Sequence, residues 1–243
     1  MEFIIHLVCR PPKLRRLQNM QEVFVSTGFE FGFLFCMRTE NAIDPAAFKP
    51  FFNNLPVDPN IKGHYRYRRL SRFRITEAGV MKLPHGYLFQ SKEYNPVVGD
   101  IKREFEELSD ELVSLEMFKA LLLVFRDFCA LRPGAEIGVH QIRTTCSPES
   151  FGDPAPEGIH QDGTDFVCIY SIDRNNIEGG ETHLYTSKTG ESSVLNKTLY
   201  PGEMVLVNDQ KFFHYTTPVR PASVGNGTRD VFVLTCPSLI VDF

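Results

Sequence analysis

Glu203-Met-Val-Leu-Val-Asn-Asp-Gln-Lys-Phe-Phe-His-Tyr-Thr-Thr-Pro218 places two short runs of strand-forming residues on either side of the turn residues Asn208 and Asp209. Branched and aromatic side chains fill Glu203–Val207 and Phe212–Pro218. Neither run is long enough, or spaced at three and four residues, as a helix requires. The same signature recurs on both sides. Ile137–Thr145, Gly158–Gln161, Asp165–Ile172, Glu181–Thr186, Ser192–Leu195 and Arg229–Cys236 read as further strands. Asp153-Pro, Asp162-Gly163, Gly179-Gly180, Pro201-Gly202 and Gly225-Asn-Gly227 punctuate them. Eight short strands with tight turns over about a hundred residues predict a jelly-roll-like β-sandwich or barrel across 136–236.

Upstream, the period changes. Phe105, Leu108, Leu112, Leu115, Phe118, Leu122, Phe125 and Phe128 recur at three- and four-residue steps, which predicts a supporting helix over 100–131. Asp100 suits its N-cap, Ser114 is the point where it would break, and Pro133-Gly134 ends it. The first 99 residues read as a helix over Leu14–Ser26, a strand over Phe29–Met37 and a loop over Pro50–Pro59. His64-Tyr-Arg-Tyr-Arg-Arg-Leu-Ser-Arg-Phe-Arg74 follows. It reads as an edge strand with solvated arginines, or as a strand that turns one or two guanidiniums into a pocket to pair with a carboxylate. The whole of 1–243 reads as one mainly β domain with flanking helices.

Composition removes several classes. Lys plus Arg is 26 and Asp plus Glu is 30, a net charge of -4, so neither a nucleic-acid coat nor a polybasic membrane anchor is indicated. Apolar runs are far below the roughly 18 residues that span a bilayer. The amino-terminal Phe3-Ile-Ile-His-Leu-Val-Cys9 has its positive charges after it, the reverse of an export signal, so a cytoplasmic protein is expected. The six cysteines form no CxxC pair and are expected to be reduced and mostly buried. Asn196-Lys-Thr198 and Asn226-Gly-Thr228 then match the glycosylation pattern by chance.

The chemistry falls among the strands. In a strand, residues two apart share a face, so His160 and Asp162 can reach one metal ion. A His-x-Asp pair alone arises by chance in roughly a third of chains of this composition. His214, on a strand near the other end of the set, completes two imidazoles and a carboxylate on one side of a metal. Such a set leaves the remaining coordination positions open, as in non-haem Fe(II) oxygenases. Arg229 opens the last strand, where a buried guanidinium suits bidentate capture of a dicarboxylate. Val139, Gln141, Arg143 and Thr145 share one strand face and are expected to form a pocket wall. Arg143 there could hold a substrate carboxylate, with Gln141 beside it. His140 and His183 read as structural.

These residues, together with Phe89-Gln-Ser-Lys-Glu-Tyr-Asn95, Gly138-Val-His-Gln-Ile-Arg143, Ile159-His-Gln-Asp-Gly163, Gly179-Gly180-Glu181, Gln210–Pro218 and Arg229-Asp230, carry a resemblance. The chain resembles the Fe(II)- and 2-oxoglutarate-dependent dioxygenases, in the free amino-acid branch typified by bacterial L-isoleucine hydroxylase. The resemblance covers roughly residues 65–236. It implies a double-stranded β-helix, Fe(II) held by His160, Asp162 and His214, and Arg229 on the distal carboxylate of 2-oxoglutarate. It also implies O2 as co-reactant, with 2-oxoglutarate decarboxylated to succinate while an unactivated C–H bond is hydroxylated. Many relatives carry Ser two residues after this arginine. Here Val231 stands there, so a second side-chain partner for the carboxylate must come from elsewhere. By the same resemblance, Lys92, Glu93 and Tyr94 line the substrate mouth. The expected partner is a small carboxylate-bearing molecule, a free aliphatic L-amino acid, with no nucleic acid and no membrane. The alternatives are a hydroxylase of a peptide or natural product, and a non-catalytic or cupin-type metal-binding jelly roll.

Overall fold

Period-two sequences dominate the second half of the chain and fold as strands. The computed structural model describes residues 22–23, 34–39 and 43–243, with side chains for 38–39 and 43–243. The expected helix over Leu14–Ser26 lies outside the described residues, apart from 22–23. In chain order, the elements begin with β1 (Glu22–Val23), β2 (Leu34–Arg38), β3 (Arg66–Thr76), β4 (Gly79–Lys82) and β5 (Tyr87–Leu88), then α1 (Asp110–Ser114) and α2 (Glu116–Phe128). There follow β6 (Glu136–Cys146), β7 (Phe166–Asn175), β8 (Ile177–Gly179), β9 (Glu181–Tyr185), β10 (Ser193–Thr198) and β11 (Glu203–Asn208). The chain ends with β12 (Phe213–Thr216), β13 (Val219–Pro221), β14 (Gly227–Cys236) and β15 (Ile240–Val241).

A large antiparallel sheet runs in the order β1-β2-β11-β7-β14-β6-β3-β4, and a smaller one in the order β10-β9-β12. Strands far apart in sequence are therefore neighbours, as in a jelly roll. The expected mainly β, jelly-roll architecture is present, and β2, β3 and β4 from before residue 136 extend its large sheet. The central strands β3, β6, β7, β11 and β14 have two occupied faces. The sheet's outer face carries Phe73, Ile137, Val139, Tyr170, Ile172, Phe232 and Leu234 against α2 (Phe118, Leu121, Leu122, Phe125) and the 3-10 helix Pro45–Phe52 (Phe48, Phe52). Phe232 sits at the centre, with ring centroids 5.4 Å from Phe48 and 5.9 Å from Phe118. Its inner face carries Val167, Ile169, Val205, Val207 and Val231 against Leu184 of the smaller sheet, with Val194 and Leu195 packed alongside. This second, partly open core is where the site lies.

Three local expectations change. The helix begins at Ser109, whose side chain accepts from Leu112 N–H, and not at Asp100, which has φ 60°. Residues before it are extended along β3: Leu70 N–H donates to Glu106 O at 2.9 Å, and Leu108 N–H to Ser71 Oγ at 3.0 Å. Phe105 and Leu108 therefore keep their burial from an extended segment, which apolar spacing alone does not separate from a helix. The expected break falls at Leu115 (φ -61°, ψ 130°). Within the expected loop over Pro50–Pro59, the first residues complete the 3-10 helix, started by the Asp44 cap on Ala46 N–H and by Pro45. Gly158–Gln161 is not a strand; it contributes one bridge, His160 to His214. The four cysteines with described side chains, Cys129, Cys146, Cys168 and Cys236, are free and buried. Among the described residues no helix is long and apolar enough to cross a membrane.

Candidate active site

β12 presents His214 to the inside, and the loop leading to β7 lays His160 beside it. The two backbones exchange a pair of hydrogen bonds, His160 N–H to His214 O at 3.1 Å and His214 N–H to His160 O at 2.8 Å. The imidazole centroids are 4.3 Å apart. Asp162 closes the group: Oδ1 is 3.8 Å from His160 Nε2 and Oδ2 is 3.6 Å from His214 Nε2. One donor atom from each residue lies within 4.8 Å of the others. The convergence expected of a strand is thus achieved by a bridged loop.

The surroundings orient these donors. His160 Nδ1–H faces Gly158 O at 2.8 Å, which leaves Nε2 with its lone pair toward Asp162. Asp209, the turn residue between β11 and β12, is buried and accepts from the N–H groups of Asp162, Gly163 and Thr164 at 3.2, 2.9 and 2.9 Å. Gln90 Nε2 donates to Asp162 O at 2.9 Å. His214 Nε2 is buried without a hydrogen-bond partner; its 3.4 Å contact to Asp209 Oδ1 lacks hydrogen-bond geometry. An orphaned buried ring nitrogen facing a carboxylate is the arrangement a cation would complete. Burial alone would lower the His214 pKa, but Asp209, Asp162 and Glu157 outweigh it and leave it raised. Burial and His214 lower that of His160.

The donors stand in a cavity of about 110 Å³. Its floor is the inner face of the large sheet: Thr144, Ile142 and His140 of β6, Arg229, Val231 and Val233 of β14, Val167 and Ile169 of β7, and Arg66 and Arg68 of β3. Arg229 is 4% exposed and has neither a hydrogen bond nor an ion pair among the described residues. Burial, with Arg174 nearby, pushes its pKa down to about 10, so it stays charged at neutral pH. Gly180 makes room for it. With φ 64°, Gly180 lies so that an added Cβ would come within 3.0 Å of Arg229 Cδ.

The two faces of β6 correct the expected pocket wall. Gln141 and Arg143 lie on the outer face and line no part of the cavity. Gln141 Nε2 donates to Phe51 O at 2.9 Å, and Arg143 holds Asp230 through two 2.7 Å bonds. The shared face was read correctly, but its polar residues are satisfied within the outer layer. The intervening residues face the site, His140 among them, although it read as structural. His183 pairs with Glu181 at 2.6 Å, outside the cavity. From Phe89–Asn95 it is Gln90 and Asn95 that reach the cavity; Lys92 and Glu93 are exposed, and Tyr94 packs over Gly163. Arg143→Ala is accordingly expected to leave Michaelis constants unchanged. It would strand the buried Asp230 carboxylate, lowering stability by about 3 kcal/mol and Tm by roughly 6–12 °C, read by thermal melting.

Two arginines of β3 do enter the pocket, as one reading of that stretch expected. Arg66 is matched by buried Asp58 at 2.9 Å. Arg68 lies over the Phe105 ring at 4.5 Å and donates to His140 Nδ1. Arg103, from the extended segment before α1, donates to Gln90 Oε1. Sequence reasoning missed Arg103, Glu157, Thr144 and Asp209. The only local cue was an acid, Asp209, five residues before a metal-type histidine.

Residues 49–235 match the family model described as 2OG-Fe dioxygenase. The chain is 26% identical over 200 residues to 3(1)-hydroxy-L-isoleucine 4-dioxygenase of Pantoea ananatis, covering 77% of this chain and 78% of that protein. It is 26% identical over 153 residues to L-isoleucine-4-hydroxylase of Bacillus thuringiensis, covering 60% and 63%. Among solved structures, a bsmA homologue from Methylobium petroleophilum superposes with a TM-score of 0.69 at 33% identity, over 79% of this chain and 80% of that one.

Proposed function

Starting from a chain that belongs to the 2OG-Fe dioxygenase family, and is an Fe(II)- and 2-oxoglutarate-dependent dioxygenase, we propose that it hydroxylates a free aliphatic L-amino acid. In this reading His160, Asp162 and His214 hold the iron, and Arg229 holds the distal carboxylate of 2-oxoglutarate. The observation that carries it is the meeting, in one cavity, of a two-imidazole, one-carboxylate donor set and a buried guanidinium with no anion of its own. Two imidazoles and a carboxylate suit a divalent first-row metal and leave further coordination positions open. Bound iron(II), with 2-oxoglutarate and O2, supplies C–H oxidation coupled to decarboxylation of the cosubstrate to succinate.

The chain's own residues bind and orient. Asp209 and Gln90 fix the backbone around Asp162 and hold its carboxylate beside the two imidazoles, where it would serve as a metal ligand. Ile142 and Val231, the same-face neighbours of Arg229 and Thr144, give that end of the cavity apolar walls, which strengthens an ion pair formed there. The second partner that Val231 cannot provide is Thr144. It pairs in register with Arg229 on the neighbouring strand, on the same face, and its buried Oγ1 has no hydrogen-bond partner. Thr144→Val is expected to raise the KM for 2-oxoglutarate roughly three- to tenfold with kcat nearly unchanged. Thr144→Ser should restore it in the same succinate assay.

Both curated relatives carry names that specify isoleucine or hydroxy-isoleucine as substrate. The small cavity with aliphatic walls supports a substrate of that size here. Succinate release with iron, 2-oxoglutarate and a panel of the twenty L-amino acids tests the reading. Stimulation by one or more aliphatic members is expected. No stimulation by any, with iron and 2-oxoglutarate bound, would overturn the amino-acid substrate and leave the family unaffected.

A further inference from the structure

Beyond the iron donors and Arg229, the cavity is lined by three charged groups that form no ion pair among the described residues. Arg68 and Arg103 are 7% and 2% exposed, line the cavity, and each has a buried Nε with no hydrogen-bond partner among the described residues. Among the described residues neither has a carboxylate within ion-pair distance, and buried Asp58 is taken by Arg66. Glu157, on the loop before His160, accepts from Asn95 Nδ2 at 3.1 Å and has no cation in ion-pair distance among the described residues. A buried guanidinium costs stability unless an anion completes it, and the same holds for a buried carboxylate. Two cations and one anion without ion-pair partners, brought to one cavity from three segments, describe the complement of a carboxylate next to an ammonium.

We propose that Arg68 and Arg103 clamp the α-carboxylate of the substrate while Glu157 takes its α-ammonium, so that the enzyme accepts amino acids only with both ends free. The proposal rests on the amino-acid reading above and names the residues that enforce it. The neighbours fit these roles. His140 accepts from Arg68 through Nδ1 and so aims the guanidinium; burial, followed by Arg68, Arg103 and Arg66, lowers its pKa and keeps it a neutral acceptor. Gln90 joins Arg103 to Asp162, donating to the backbone carbonyl at 2.9 Å and to Oδ1 at 3.4 Å. The clamp is thereby tied to the iron donors through one amide. Leu88 and Leu239 border the same corner and offer apolar contact to a side chain. A peptide-bonded residue lacks one or both charges and would leave these groups unmatched.

The test uses the full chain loaded with Fe(II) and 2-oxoglutarate under anaerobic conditions, with the visible charge-transfer absorption of that chelate as readout. The most active amino acid of the panel is titrated first, then its amide, its N-acetyl derivative and its deaminated analogue. The free amino acid is expected to perturb the absorption at least tenfold more tightly than the amide or the N-acetyl form. Arg68→Lys and Arg103→Lys should each weaken its binding about tenfold or more while the absorption itself persists, which shows that the fold and cosubstrate site are intact. Glu157→Gln should weaken the amino acid by a similar factor and leave the deaminated analogue unchanged, a pattern that a merely structural role would not produce. Equal binding of free and blocked forms by the unaltered protein would overturn the proposal and leave the amino-acid reading standing. So would unchanged affinity in all three variants. No response to any amino acid would overturn both.

Discussion

Arg229→Ala is expected to raise the KM for 2-oxoglutarate by about 100-fold or more, measured as succinate release at saturating iron. Removing one member of a desolvated charge pair costs about 2–5 kcal/mol, and every 1.4 kcal/mol is tenfold. The pair would be strong here because Arg229 is buried, with Val231 and Ile142 as its apolar neighbours on the same face. Arg229→Lys should recover only part of the loss, since an ammonium cannot match a carboxylate at two points. The pH dependence has a definite sign. Binding needs the protonated guanidinium, whose pKa in the protein is about 10, so 2-oxoglutarate affinity should be flat through the neutral range and fall as pH rises past about 10. A cupin-like protein that uses the metal alone would show neither effect.

The second large effect concerns the metal. His214→Ala and Asp162→Ala are each expected to reduce bound iron by more than 100-fold in affinity and to abolish succinate release. The measurement is iron per chain after dialysis against a weak chelator. The magnitude follows from the layer behind the ligands: outer partners alone typically change affinity 10- to 100-fold, and a ligand contributes more than its support. Asp209→Asn is the internal comparison. It keeps the side-chain volume and weakens the acceptor that gathers three N–H groups of 162–164, so its loss should fall within that 10- to 100-fold range. Retention of iron at the wild-type level by His214→Ala would remove that residue from the metal site.

How much of this was legible beforehand depended on the range of the signal. Strand runs and turn residues are local, so β6, β9, β11, β12 and β14 were readable within a residue or two, as was the break at Leu115. His160 and Asp162 were found for a reason that was only half right. Their spacing suggested a shared strand face, whereas a single bridge to His214 and the Asp209 cradle bring them together. The pocket wall on β6 failed for a physical reason. Period two says which residues share a face, but not which of two occupied faces holds the ligand. Gln141 and Arg143 were polar on an apolar strand because Phe51 O and Asp230 satisfy them in the outer layer. Arg68 and Arg103 belong to segments with unrelated local patterns, and no spacing rule links them. Only the bridge between Leu88 and Arg103 and the pairing of β3 with β6 bring both to the cavity.

The double occupancy of β3, β6 and β14 has a consequence for how such a protein can change. Adjacent residues on these strands belong to separate tasks: Phe232 anchors α2 and the 3-10 helix, while Val231 and Val233 border the cavity. A substitution at Arg68, Ile142 or Val233 reshapes the chamber without touching the aromatic cluster behind it, and one at Phe232 weakens the scaffold without altering the chamber's lining. Selection for a new substrate can therefore work through every second residue of three strands as an independent alphabet. The cost of each trial is confined to one side of a sheet only one residue thick.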